Sequence, residues 1–275
     1  MKFNLNKPTG TSSPGAAASK NEIIFIEAET IESYPIPDEN GVKLQGSFVL
    51  QAGEKMVKVY STKSKVDAGM ETDGEEDMMS FKPKLVLMHP GNKVEVKEFI
   101  QYWTGRNIVA LHRACGETHY EVMGTPCAPL QLKTAKQDNN DGRGYTMTLE
   151  PFAKTGFVPQ VYEGAVVFGE PTIVPSGDDI LLTSANGLQY QIEPSNTGND
   201  LSFNGPITID HGKIITLIGK GGSDPSIVSQ GQTGSVTIIL KDGITWTALN
   251  KSCINFRVFK AGNITYLIEV SRDSY

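Results

Sequence analysis

Cysteine is scarce in this chain of 275 residues, and the three present do not pair by spacing. Cys115, Cys127 and Cys253 are odd in number and give no disulfide framework. Excess positive charge is missing as well: 25 Lys and Arg stand against 31 Asp and Glu, for a net charge of −6. A protein that grips nucleic acid through its phosphates needs a basic face, so that class is excluded. No apolar run approaches the ~20 residues of a membrane-spanning helix, and no membrane insertion is expected. The opening MKFNLNKPTG lacks the apolar core of a secretory signal. The expectation is a chain made and assembled in reducing cytoplasm.

Catalytic patterns are also missing. No G-x-S-x-G elbow occurs, and no Cys and His pair as nucleophile and base. His112, Cys115 and His119 have an H-x2-C-x3-H spacing, with Cys127 nearby. Strand geometry sends positions 112 and 119 to opposite faces and Gly116 turns the chain between them, so packing or surface placement outweighs a metal site. In QDNNDGRG (137–144), an EF-hand count puts Gln137 at the first position and Thr148 where the bidentate Glu belongs. A polar hairpin turn is the better reading. GKGG at 219–222 has no Ser or Thr after its lysine and no helix following, so it reads as a turn with positive φ. The chain is expected not to be an enzyme, with no cofactor and no metal.

What the sequence does have is β pattern. A hydrophobic content of 39% is enough for a core, and 28 glycines with 15 prolines punctuate it closely. Residues 1–20 are Gly, Ser, Ala and Pro with few apolar side chains, and alone they cannot recover their ordering entropy. They are expected to form a flexible arm that lies across a neighbour. From 21 to 163 the strands NEIIFIEAETIESY, KLQGSFVLQ, EKMVKVYSTKS and FKPKLVLMH are expected, with the last two flanking an acidic excursion, DAGMETDGEEDMM. The best helix signal is at 93–104, where Val96, Phe99, Ile100 and Trp103 share one face. Asn92 is placed to cap it, Glu95 follows three residues on, and Gly105 ends it. Residues 164–178 read as a linker. Residues 179–275 read as a second, all-β domain without helix. Its turns fall at Asn186-Gly187, Asn204-Gly205, Asp242-Gly243 and Gly262-Asn263. In its last strand Ile264, Tyr266, Ile268 and Val270 alternate against Thr265, Leu267 and Glu269. Trp246, in ITWTA, is expected in the core rather than as an exposed stacking platform.

The order of these pieces resembles the major tail tube proteins of long-tailed phages. The similar parts are the hairpin around the acidic loop, SFKPKLVLMHPG leading into the helix, YEVMGTPCAPLQL, the polar loop, and GYTMTLE. They span 48–152. The resemblance implies a mainly-β fold: an N-terminal β-sandwich or barrel with one flanking helix and a long hairpin, followed by an added β domain that faces outward. It also implies a structural virion protein. Six copies would form a ring, rings would stack into the tail tube, and DNA would pass through during ejection without being bound. Other tail proteins are the implied partners. The alternative is a decoration or surface module that recognises carbohydrate or the host envelope through the C-terminal domain.

On this reading the helix face Val96, Phe99, Ile100 and Trp103 packs against the sheet, and segments 48–60 and 81–88 line the lumen. The acidic cluster Asp67, Glu71, Asp73, Glu75, Glu76 and Asp77 has two competing placements. It faces the lumen, where like charge keeps DNA off the wall over about 10 Å, or it reaches the adjacent ring and meets lysines such as Lys55, Lys58, Lys63 and Lys65. Gly69, Gly74 and the methionines favour the second, as an adaptable docking segment; a plain solvated loop is the remaining reading.

Overall fold

The computed structural model describes residues 19–20, 22–139, 142–177 and 179–273. The expected arm lies outside the described residues except for Ser19, bridged to Ala114, and Lys20, whose N–H donates to Arg113 O at 2.9 Å. The chain is mainly β. It divides into two compact units, and each draws on separate stretches of sequence. The first comprises the described residues up to Glu29, with Pro37–Lys43 and Val57–Tyr162; the second comprises Thr30–Ile36, Leu44–Met56 and the chain from Glu163 onward.

In the first unit Glu22–Glu27 lies between Val57–Tyr60 and Ile108–His112, antiparallel to both. Ile108–His112 pairs on with Tyr120–Met123 and meets Leu130–Asn139 at Leu130. Leu130–Asn139 and Gly142–Pro151 form a long hairpin, whose turn centre (140–141) is outside the described residues. Gly142–Pro151 then pairs with the far half of Ser80–Pro90, and the near half of that strand pairs with Asp67–Asp73. The Thr62 N–H donates to Met88 O at 2.9 Å, which brings the chain after Val57–Tyr60 onto Ser80–Pro90 and curls the sheet into a partial barrel. Period-two alternation sends Leu85, Leu87, Met147, Leu149, Leu130 and Leu132 inward.

The helix, Val94–Trp103, packs on this core. Val96 and Trp103 are buried, and Phe99 and Ile100 pack against the same cluster. Phe25 meets Trp103 edge-on at 5.4 Å and Phe99 at 5.9 Å between ring centroids, geometry that the ring quadrupoles favour. The cap differs from the expected one. Lys93 is the N-cap and makes no side-chain cap bond, because the Asn92 side chain is engaged elsewhere, accepting from the Tyr145 hydroxyl at 2.8 Å. The C-terminal end is as expected: the Thr104 N–H returns to Ile100 O at 3.0 Å and Gly105 takes a positive φ of 82°.

The second unit holds a seven-stranded mixed sheet in the order Thr172–Val174, Gln189–Ile192, Ile214–Gly219, Cys253–Ala261, Ile264–Asp273, Val236–Ile239, Gly231–Thr233. Ile214–Gly219 is buried along its whole length. Trp246 is in the core with Phe203, Tyr190 and Phe256, and Gly221 and Gly222 take positive φ as the GKGG turn required.

Three expectations need correction. The first strand is broken by a 3-10 turn at Ala28–Thr30, and the stretch after it belongs to the second unit. Segment 48–60 is not one strand: Val49–Leu50 pairs with Ile31–Ser33 in the second unit, whereas Val57–Tyr60 pairs with Glu22–Glu27 in the first. Residues 164–178 are not free of structure. Ala165 and Val174 are buried, and Thr172–Val174 is the edge of the second sheet. The two faces of Ile264–Asp273 do alternate: Thr265 and Leu267 are buried and Ile264 is half exposed, so the more apolar face of that strand is the outer one.

Candidate functional site

The acidic excursion is a built hairpin. Asp67–Asp73 pairs residue for residue with Ser80–Val86, from Asp67 opposite Val86 to Asp73 opposite Ser80. Ala68, Met70 and Thr72 stand opposite Leu85, Pro83 and Phe81 on one face, and only Ala68 is partly buried. On the other face Asp67, Gly69, Glu71 and Asp73 stand opposite Val86, Lys84, Lys82 and Ser80 of the neighbouring strand. The pattern continues across the sheet. Glu150 on the next strand is held by Lys133, with Lys84 and Lys82 nearby, and its carboxyl is lowered below its ordinary value chiefly by the Lys133 contact. Lys82 and Lys84 therefore stand between the carboxylates of Asp67–Asp73 and Glu150, an arrangement that suits cross-strand pairing. Asp73 also takes Lys154 at 3.2 Å.

This arrangement divides the six acidic residues. Asp73 pairs with Lys154, and Glu71 stands opposite Lys82 on the neighbouring strand. Glu75, Glu76 and Asp77 sit on the tip, fully exposed, with no ion-pair partner among the described residues. The tip is a shaped turn. The Met78 N–H donates to Glu75 O at 3.0 Å, and Asp77 adopts a left-handed φ of 66°. A side chain at Gly74 would run into the Met78 carbonyl oxygen, so only glycine fits there. The turn holds Met78 and Met79 out in solvent at 66% and 58% exposure.

A second feature of this unit is a hollow of about 180 Å³ beside the helix, lined by Lys58, Val59, Tyr60, His89, Glu95, Val96, Phe99 and Met147. Tyr60 and His89 meet edge-on at 6.2 Å. The Nδ1 atom of His89 is buried with no hydrogen-bond partner, and burial lowers the pKa of its imidazole. The folded chain thus prefers neutral His89 while the unfolded chain takes up a proton below about pH 6.5. Stability is greatest above that pH and declines as pH falls through the window beneath it. Urea midpoints at pH 7.5 and 5.5 should show this decline, and His89→Asn should reduce it. An equal decline in the variant would remove His89 as the cause.

No clear chemical centre emerges elsewhere. His112 is buried against Glu121 at 3.0 Å, and that contact is the main cause lowering the Glu121 carboxyl. His119 pairs with Glu117 at 3.6 Å. Cys115 and Cys127 are exposed, and Cys253 is buried with its thiol pKa raised by desolvation. Among the described residues no three His, Cys, Asp or Glu converge as a metal site, and no helix is long and apolar enough to cross a membrane. In the second unit a groove of about 490 Å³ runs past Glu269, Arg272 and Ser271. Those groups are already engaged: Glu269 holds Arg272 and the Lys241 N–H, and Ser271 donates to Gln45 O.

No family model, curated protein or solved structure matches this chain. The site therefore rests on its own geometry. Sequence pattern placed the acidic residues but missed Lys82 and Lys84, although K-P-K at period two opposite D-x-G-x-E-x-D was a readable signal. The Tyr60–His89 hollow had no such signal, since its walls come from strands and a helix far apart in the chain.

Proposed function

We propose that this protein is a structural subunit that associates with copies of itself, and that its assembly is a phage tail tube of stacked, six-membered rings through which DNA passes. One observation carries the self-association: a projecting hairpin that ends in two exposed methionines and three unpaired carboxylates, with its edge strand Asp67–Asp73 exposed along nearly its full length. Open strand edges and solvent-held apolar side chains mark surfaces that other chains cover. A head-to-tail contact that closes gives a ring, and stacking gives a filament. The net negative charge of each copy suits a conduit that does not retain DNA. In this reading the protein belongs to the virion, assembles in the host cytoplasm with other tail proteins, and carries out no catalysis.

The carbohydrate alternative loses its tryptophan, because Trp246 is 1% exposed. Negative-stain microscopy of concentrated full-length protein tests the proposal. Rings or tubes of uniform width are expected. A monodisperse monomer under all conditions would overturn it, and measurable glycan binding by that monomer would favour the alternative.

A further inference from the structure

We infer that the methionine tip of the first unit docks into the Tyr60–His89–Phe99 hollow of a second copy of this chain. The inference rests on the self-association reading and names its contact. The tip offers Met78 and Met79, flexible thioether side chains that adapt to irregular apolar hollows. The hollow offers Tyr60, 48% exposed, with Phe99, Val96 and Met147 behind it. At about 180 Å³ it has room for an unbranched side chain of this kind. The His89 ring is part of its wall.

Charge beside the hollow suits the same pairing, with Glu95 the one acidic residue on its lining. The tip surrounds its methionines with Glu75, Glu76 and Asp77. Three and five residues beyond Tyr60, the exposed turn Lys63–Lys65 presents Lys63 and Lys65, which have no ion-pair partner among the described residues. Lys58 stands at the hollow itself and shares its charge with Glu22 at 3.1 Å. Donor and acceptor surfaces differ, so the contact is head-to-tail and each copy can give a tip and receive one. Asp73 is held by Lys154 of the same chain and Glu71 stands opposite Lys82, so the contact is assigned to the tip carboxylates.

The test uses the full-length chain with a benzophenone amino acid installed at Met78, illuminated at high protein concentration, with cross-linked peptides identified by mass spectrometry. Cross-links are expected to residues around Tyr60, His89 and Phe99 of another copy. Paired reversals then probe the charges. Lys63→Glu with Lys65→Glu, or Glu75→Lys with Glu76→Lys, should each lower the cross-linked fraction about tenfold at low salt, and all four together should restore it. At 1 M salt, where screening falls to about 3 Å, the effect of either pair should shrink. All four positions are exposed, so unchanged circular dichroism is the folding control. Cross-links to the hollow with charge-swap rescue support the contact even if microscopy shows no tubes. Tubes with cross-links elsewhere, or with no response to the reversals, overturn the contact and leave the assembly reading standing. No cross-link between copies also overturns it.

Discussion

Replacing Trp103 with alanine should lower the stability of the first unit by about 3–5 kcal/mol, the range for removing a large aromatic side chain from a packed core. The indole is 4% exposed and packs against Phe25, Phe99 and Tyr102, with centroids 5.4 to 5.9 Å away. It is also the last residue of the only α-helix among the described residues, so the cavity opens where the helix is pinned to the sheet. Chemical denaturation followed by circular dichroism measures the loss. The two tryptophans make the result specific, because Trp103 lies in the first unit and Trp246 in the second. In Trp103→Ala the remaining fluorescence reports Trp246 alone. If the units unfold separately, that signal should keep its midpoint while the dichroism of the first unit shifts. Val94→Ala is the control: Val94 is on the same helix at 65% exposure, and surface changes of this kind stay within about 0.5 kcal/mol. A loss below about 1 kcal/mol for Trp103→Ala would show that the helix face is not part of the core.

Local pattern explains why so much of the first unit was readable. The helix face followed from 3.6-residue spacing, because four apolar residues on one stripe have to be covered. The strands SFKPKLVLMHP and GRGYTMTLEP announced their inward positions by alternation. Long-range choices were not readable. Nothing near Val57–Tyr60 indicates that it pairs with Glu22–Glu27 rather than with the strand that follows it. Asn92 had the chemistry of a cap and was taken instead by Tyr145, a residue 53 positions away. Ile264–Asp273 looked more apolar on the face that turned outward. Its register with Cys253–Ala261, which shifts at Asn255/Phe256, sends Leu267 into the core and leaves Ile264 outside. The candidate site divides the same way. The tip carboxylates and methionines are contiguous in sequence and were visible. The hollow is assembled from three separated stretches and was not.

Truncation after Tyr162 should destabilise the chain far more than removal of an appendage would. The second unit includes Leu44–Met56, which comes before most of the first unit in sequence. That segment is tied to the C-terminal half throughout. The Ser47 N–H donates to Asn255 at 3.2 Å, and the Ala165 N–H donates to the Ser47 hydroxyl at 3.0 Å. Gln189 donates to Phe48 O at 2.7 Å, Ser271 donates to Gln45 O at 3.0 Å, and the Met56 N–H donates to Val167 O at 3.1 Å. Val49 packs with Ile218 and Cys253. Without residues 163–275, Leu44, Phe48, Val49 and Met56, none more than 3% exposed in the whole chain, lose these partners. Exposing a fully buried side chain of this size costs roughly 1.5–3 kcal/mol, so four of them approach the 5–15 kcal/mol that holds a typical domain together. The truncated chain is expected to aggregate or to bind a hydrophobic dye. A second truncation that also replaces 44–56 with a short Gly/Ser linker should behave better, since the orphaned apolar segment is gone. A soluble, cooperatively folded 1–162 fragment that retains 44–56 would refute this and restore the simpler picture of one domain following another along the chain.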